Sequence, residues 1–184
     1  MSKEQSVDFS KIKTGGTFLT NVVGSEKVFC KELFSDEEKM IYEAMRDFAT
    51  NELLPLSQNE LNKKDEKLIR KLVEQMGELG FLGIDVPEKY GGSEMTKTGM
   101  CILAEGISFC GSASFCTVWN VQSSIGSLGI IWYGNDEQKQ KWLPGICSGE
   151  KIAAFGLTEP EAGSDATNSK TTGVLSEDGK HYIV

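Results

Sequence analysis

The sequence has no concentration of basic residues. Nineteen lysines and arginines stand against 27 aspartates and glutamates, for a formal net charge of −8. A nucleic-acid footprint needs clustered cations to displace phosphate counterions, so that class of partner is excluded. The five cysteines, Cys30, Cys101, Cys110, Cys116 and Cys147, are odd in number and nowhere spaced CxxC. This excludes a disulfide framework or a zinc site and points to a reducing interior. No run of about 18 apolar residues occurs, so no membrane-spanning helix is expected. The opening "MSKEQSVDFSKIK" has neither an apolar signal core nor an Arg-rich bias, and a cytoplasmic protein is the expectation. Internal repeats and low-complexity tracts are also missing. What remains is 184 residues, 39% of them hydrophobic, enough for one sizeable core with a smaller unit beside it.

Residues 1–34, with "KTGGTFLTNVVGSEKVF", show glycine pairs and short β-branched runs without helical period, which predicts an extended arm. The pattern changes at "SDEEKMIYEAMRDFATNELLP". Ser35 and Glu38 form a capping box, and Met40, Ile41, Ala44, Met45 and Phe48 recur on one helical face until Pro55. A second helix is predicted in "DEKLIRKLVEQMGELG", with Leu68, Ile69, Leu72, Val73, Met76 and Leu79 as its stripe and Gly80 as its stop. "GIDVPEKYGGSEM" reads as a turn-rich connector. From Thr96 to Ile131 the chain is poor in charge and rich in small residues, which suits one or two closely packed core helices. Asn135 and Gln138 then cap a short amphipathic helix containing Trp142, Leu143 and Pro144. Trp119, Trp132 and Trp142 read as core anchors. "SKTTGVLSEDGKHYIV" predicts two β segments around an Asp-Gly turn. The fold class is therefore mainly α: a helical domain over 35–152, then the opening of a β domain over 153–184.

One segment concentrates special residues. "FGLTEPEAGSD", Phe155 to Asp165, combines hydroxyls at Thr158 and Ser164, a rigid turn at Glu159-Pro160 and a flexible backbone at Gly163. Backbone N–H groups around such a turn can cradle an anion, and a phosphate or a reduced flavin would suit it. A β-to-loop turn followed by a Ser or Asp cap explains the same residues without a ligand. His181, the one histidine, reads as an ordinary side chain beside the β turn, and Cys110 and Cys116 read as small buried apolar groups.

"AAFGLTEPEAGSDATNSKTT" resembles the first signature of the acyl-CoA dehydrogenase family. "GNDEQKQKWLPGICSGEKIAAFGLTEP" resembles the family's approach to that signature nearly position by position, "LGFLGIDVPEKYGG" its glycine-rich connector, and the Ser35–Pro55 helix its first helix. The resemblance covers about residues 33–184. Asn168 departs from it, since the family usually has Gly, Ser or Ala there. "TVWNVQSSIGSLGIIWYG" and the arm holding "GGTFL" resemble the very-long-chain branch. There Ser123, Gly126 and Gly129 either leave room along the acyl cavity or permit close helix packing.

The resemblance implies a helical N-terminal domain followed by the start of a β-sandwich or barrel middle domain. It implies an FAD-dependent enzyme that oxidises the Cα–Cβ bond of fatty acyl-CoA thioesters to trans-2-enoyl-CoA in β-oxidation. Phe155, Gly156, Leu157, Thr158, Gly163 and Ser164 would meet the flavin. Thr158 and the Leu157 amide would donate where negative charge gathers, and Ser164 would lie between the FAD pyrophosphate and the substrate. Glu159 pins the turn and Asp165 caps it. The family's general-base glutamate is expected beyond residue 184, so the chain reads as the N-terminal part of a longer enzyme, inactive alone. No catalytic residue and no metal ligand is expected within it. Implied partners are acyl-CoA, an electron-transfer flavoprotein or similar acceptor, and further copies of the full-length chain. The competing readings are a non-catalytic binding or assembly module and a related flavin oxidase or monooxygenase.

Overall fold

The computed structural model describes residues 31–56, 60, 61, 63 and 65–184. The arm predicted for residues 1–34 lies outside the described residues except at its end, where Lys31–Leu33 forms a single 3-10 turn. The described chain is mainly helical. Helix α1 spans Asp36–Phe48, α2 Glu66–Glu78, α3 Lys97–Ile107, α4 Ala113–Ser123, α5 Ile125–Tyr133 and α6 Asp136–Cys147. Two short strands, β1 (Val174–Leu175) and β2 (Tyr182–Ile183), close it.

Local chemistry sets the helix ends. Ser35 Oγ accepts from the Glu38 N–H at 3.1 Å while the Glu38 carboxylate accepts from the Ser35 N–H at 2.9 Å, completing the box that opens α1. Asn135 and Gln138 repeat the arrangement at α6, with distances of 2.8 and 2.9 Å. Asp65 caps α2 by accepting from the Lys67 and Leu68 amides. That helix stops at Gly80, whose φ of +76° is left-handed. The Gly80 N–H returns to Gly77 O and the Phe81 N–H to Met76 O, the paired bonds of a Schellman stop. The run after Phe48 does not simply continue as an α-helix. Ala49–Leu53 widens into a π turn and Leu54–Leu56 tightens into a 3-10 turn, changes of register that carry helical backbone through Pro55, which has no N–H to give.

The chain divides into two compact units. One holds the described residues up to Leu72 together with Glu94–Thr117. In it α1 packs on α3, and Met45, Phe48, Leu53, Ile102, Leu103 and Ile107 form its buried centre. The other holds Val73–Ser93 and Val118–Val184. Its core includes Val86, Tyr90, Leu143 and Cys147, with Ile130 and Ile131 packed against them. Trp119 is buried there, and its Nε1–H donates to Phe81 O at 2.9 Å. Gly77 is required in this unit, because a Cβ at that position would stand 2.2 Å from Ser148 O.

Several sequence expectations change. The Thr96–Ile131 stretch holds three helices where one or two were predicted. Gly111, at φ +70°, and the 3-10 turn Ser108–Cys110 break it once, and Ser124 breaks it again. Met40 is 64% exposed and Ala44 is exposed. The inward face of α1 is centred on Ile41, Met45 and Phe48; Met40 falls off it, and Ala44 lies at its uncovered edge. Leu79 is exposed at the last position before the chain reverses at Gly80. Of the three tryptophans only Trp119 is a core anchor. Trp132 is 61% exposed because α5 is apolar on every side and one side alone can be covered. Trp142 lies outside the buried α6 row of Leu143, Ile146 and Cys147, with Lys141 Nζ 5.1 Å from its ring centroid. The Asp-Gly hairpin is present. Val174 pairs with Ile183 and Leu175 with Tyr182, around Gly179 at φ +67°.

Candidate functional site

The chain leaves α6 through a turn in which the Lys151 N–H donates back to Gly145 O at 2.8 Å. One buried side chain then holds it. Gln122, on α4 and 1% exposed, donates from Nε2 to Ile146 O at 3.0 Å and to Lys151 O at 2.8 Å. Its Oε1 accepts from the Ala153 N–H at 2.7 Å. All the hydrogen-bonding capacity of a carboxamide except one lone pair is thereby used.

Phe155, Gly156, Leu157 and Thr158 follow in a segment without helix or strand pairing. None of their four N–H groups has a hydrogen-bond acceptor among the described residues. Phe155 and Leu157 are 52% and 50% exposed, so apolar surface lies along the same run as free donors. Beyond them the Glu159 N–H donates to Ala162 O at 3.0 Å and the Ala162 N–H to Glu159 O at 3.2 Å, closing a tight turn around Pro160 and Glu161. The Glu159 carboxylate accepts from the Lys170 N–H at 2.7 Å and the Thr171 N–H at 3.2 Å. The turn is thus pinned by Glu159. Asp165 shapes the next one: its carbonyl accepts from the Asn168 N–H and its carboxylate from Thr167 Oγ1 at 2.8 Å. Asn168 ends that 3-10 turn.

The six predicted site residues therefore sit on either side of one pinned turn, Phe155–Thr158 before it and Gly163 and Ser164 after it, all exposed. A Cβ built on Gly156 or Gly163 meets nothing within 4 Å, and neither has a left-handed φ. Nothing among the described residues requires glycine at either place, and both leave the backbone open to close approach by another group. Free N–H donors, exposed apolar side chains and open backbone fit a flat heteroaromatic group with a polar edge, which is what a flavin presents. Gln122 is the residue that sequence reasoning missed. Its signal was a long amide side chain near the end of a helix built, Asn120 apart, from apolar and small residues.

Other candidates resolve differently. Ser123 Oγ donates to Phe81 O at 3.4 Å, and a Cβ on Gly126 would meet Ala153 Cβ at 2.9 Å, so these two serve close packing. Gly129 has open space beside it. His181 is exposed, with Nδ1 3.7 Å from the Asp178 carboxylate. Cys110 is buried, and its Sγ lies 3.5 Å from that of the half-buried Cys116. Burial, followed by the Cys110 neighbour, pushes the Cys116 thiol up to about 12, and burial takes Cys147 to about 11. Neither is a thiolate at neutral pH. Among the described residues no group of three His, Cys, Asp or Glu side chains could hold a metal ion, and no helix is long and apolar enough to cross a membrane.

The pinned turn is pH-sensitive in a defined direction. Hydrogen bonding by Thr171 first, then Lys170, lowers the Glu159 pKa below its ordinary value of 4.5. Its contribution is complete above that value and is lost as pH falls through the lower folded one. The protection factors of the Lys170 and Thr171 amides, taken against intrinsic exchange at each pH, should fall over that acidic range and should be low at every pH in Glu159→Ala. Protection that is flat with pH, or unchanged in the variant, would show that the carboxylate does not hold the turn.

Comparison with known proteins gives a consistent result. Residues 35–150 match the family described as acyl-CoA dehydrogenase, N-terminal domain. A probable acyl-CoA dehydrogenase of Bacillus subtilis is 43% identical over 173 residues, covering 94% of this chain and 29% of that protein. The crystal structure of an acyl-CoA dehydrogenase complexed with FAD from Bacillus anthracis superposes with a TM-score of 0.81 at 43% identity, covering 92% of this chain and 28% of that one. A chain from a structure described as an electron transferring flavoprotein of Acidaminococcus fermentans superposes at 0.70 with 34% identity, covering 84% and 39%. The chain thus spans between 28% and 39% of the length of these relatives. The chain therefore belongs to the acyl-CoA dehydrogenase family, its residues 35–150 matching the family's N-terminal domain.

Proposed function

We propose that these residues serve an FAD-dependent acyl-CoA dehydrogenase, one that converts fatty acyl-CoA thioesters to trans-2-enoyl-CoA in fatty acid β-oxidation. Residues 35–152 form its helical domain and 153–184 open its β domain. The observation that carries this reading is the run of N–H groups at Phe155–Thr158 with no acceptor among the described residues, beside exposed apolar side chains and two glycines with open space around them. FAD, when bound, supplies the hydride acceptor. The Thr158 hydroxyl and the Leu157 N–H donate to its polar edge, where negative charge gathers, and fixed donors of that kind need no reorganisation as charge develops. Ser164, just past the turn, serves the pyrophosphate and the substrate. Phe155 and Leu157 keep water from that side. No acid or base is assigned among residues 1–184.

An electron-transfer flavoprotein or similar acceptor and a homo-oligomeric state of the whole enzyme follow from family membership. The FAD complex of the Bacillus anthracis relative supports the cofactor. A preference for long acyl chains is part of the same reading, from the resemblance of "QSSIGSLGI" and the N-terminal arm to the very-long-chain branch.

Two measurements test this. In the whole enzyme, Thr158→Ala and Ser164→Ala should each weaken flavin retention about ten- to a hundredfold. Each loses a hydrogen bond to a charged or charging group worth roughly 1.5–3 kcal/mol. Flavin absorbance after purification reads it, and unchanged retention in both variants removes these residues from the site. Chain-length profiling with an artificial electron acceptor should peak at long acyl-CoAs, and a maximum at butyryl-CoA would sink the chain-length reading.

A further inference from the structure

We propose that Gln122 is the positioning residue of the flavin-facing segment: its carboxamide sets where the free N–H groups of Phe155–Thr158 stand. The inference rests on the flavin reading of that segment. Gln122 sits near the end of α4, is 1% exposed, and bridges three backbone groups from two further stretches of chain: Ile146 O in α6, and Lys151 O and the Ala153 N–H in the segment that leads to the site. The match is specific to residue type. Two donors and one acceptor in one plane meet two carbonyls and one N–H, a pattern that glutamate and methionine lack and that asparagine presents one methylene too short. Gly126 adds a second constraint, since a Cβ there would collide with Ala153. On the far side, the Glu159 carboxylate holds the amides of Lys170 and Thr171. The donors thus lie on a short span fixed at both ends, and fixed donors are what a developing charge rewards. A polar side chain buried only to staple a helix bundle would not also hold Lys151 and Ala153, just ahead of an exposed run whose N–H groups have no acceptor among the described residues.

The test uses the 184-residue chain, 15N-labelled, as wild type and as Gln122→Met, which keeps volume and removes all three bonds. Ala153→Pro is the second variant and removes the N–H from the other side of the same contact. In Gln122→Met the Ala153 amide should exchange at least tenfold faster, and the backbone order parameters of Phe155–Thr158 should fall in both variants from near 0.85 towards 0.6. Amides inside α4 and α6 should keep their protection. FAD titration, followed by the flavin visible spectrum, should need at least tenfold more cofactor in each variant. Unchanged order at Phe155–Thr158 in a folded variant overturns the proposal, and so does loss of protection spread evenly through the helices of both. A wild-type chain that leaves the flavin spectrum untouched overturns the flavin reading instead, while the order parameters still decide the role of Gln122.

Discussion

Four consecutive peptide N–H groups, Phe155 to Thr158, have no acceptor among the described residues, and the arrangement around them follows from that constraint. A backbone donor has to be satisfied by protein, by water or by a ligand. Here the segment is exposed, so water can serve until something better arrives. Keeping a donor-rich stretch from collapsing into a helix or a ladder requires that its ends be held by other means. Side chains supply them: Gln122 before the run, and Glu159, with the Glu159–Ala162 bridge, after it.

This division of labour explains where the polar and apolar chemistry of the second unit goes. Its core is apolar, yet Trp119, Gln122 and Ser123, all near the end of α4, are buried with their polar atoms satisfied by backbone carbonyls and one N–H. No buried side-chain polar atom among the described residues is left without a partner. Burying such groups is tolerable only under that condition, since an unpaired one costs about 1–3 kcal/mol. The same bonds tie irregular backbone at Phe81 and at Lys151–Ala153 to a helix. A loop becomes a positioned element by this means without becoming regular structure.

What was legible in the sequence was local. The capping boxes of Ser35–Glu38 and Asn135–Gln138, the stop at Gly80 and the Asp178-Gly179 turn each depend on residues close in sequence or on one residue's backbone preference. They occur as the residue pattern predicts, whereas the pinning of the loop by Glu159 was expected from the family resemblance. The exposure of Met40, Trp132 and Trp142 was not legible, because which side of a helix is covered depends on elements far along the chain. Splitting Thr96–Ile131 into three helices turned on Gly111 and Ser124, two breaks that a uniform run of small apolar residues conceals. Gln122 was hidden for the same reason: its partners lie 24 to 31 residues away. The string Phe155–Ser164 could be picked out as chemistry-bearing, but its free donors are visible only from the hydrogen bonds of the folded chain.

The central claim is that the Phe155–Thr158 amides form a cofactor-facing edge. A 1H–15N correlation titration of the labelled chain with FAD tests it most directly, because amide shifts report contacts even when binding is weak. The account predicts that Phe155, Gly156, Leu157 and Thr158 shift first and furthest, with Gly163 and Ser164 next and the amides of α1 unmoved. Shifts centred elsewhere, or none at Phe155–Thr158 up to saturating FAD, would contradict it.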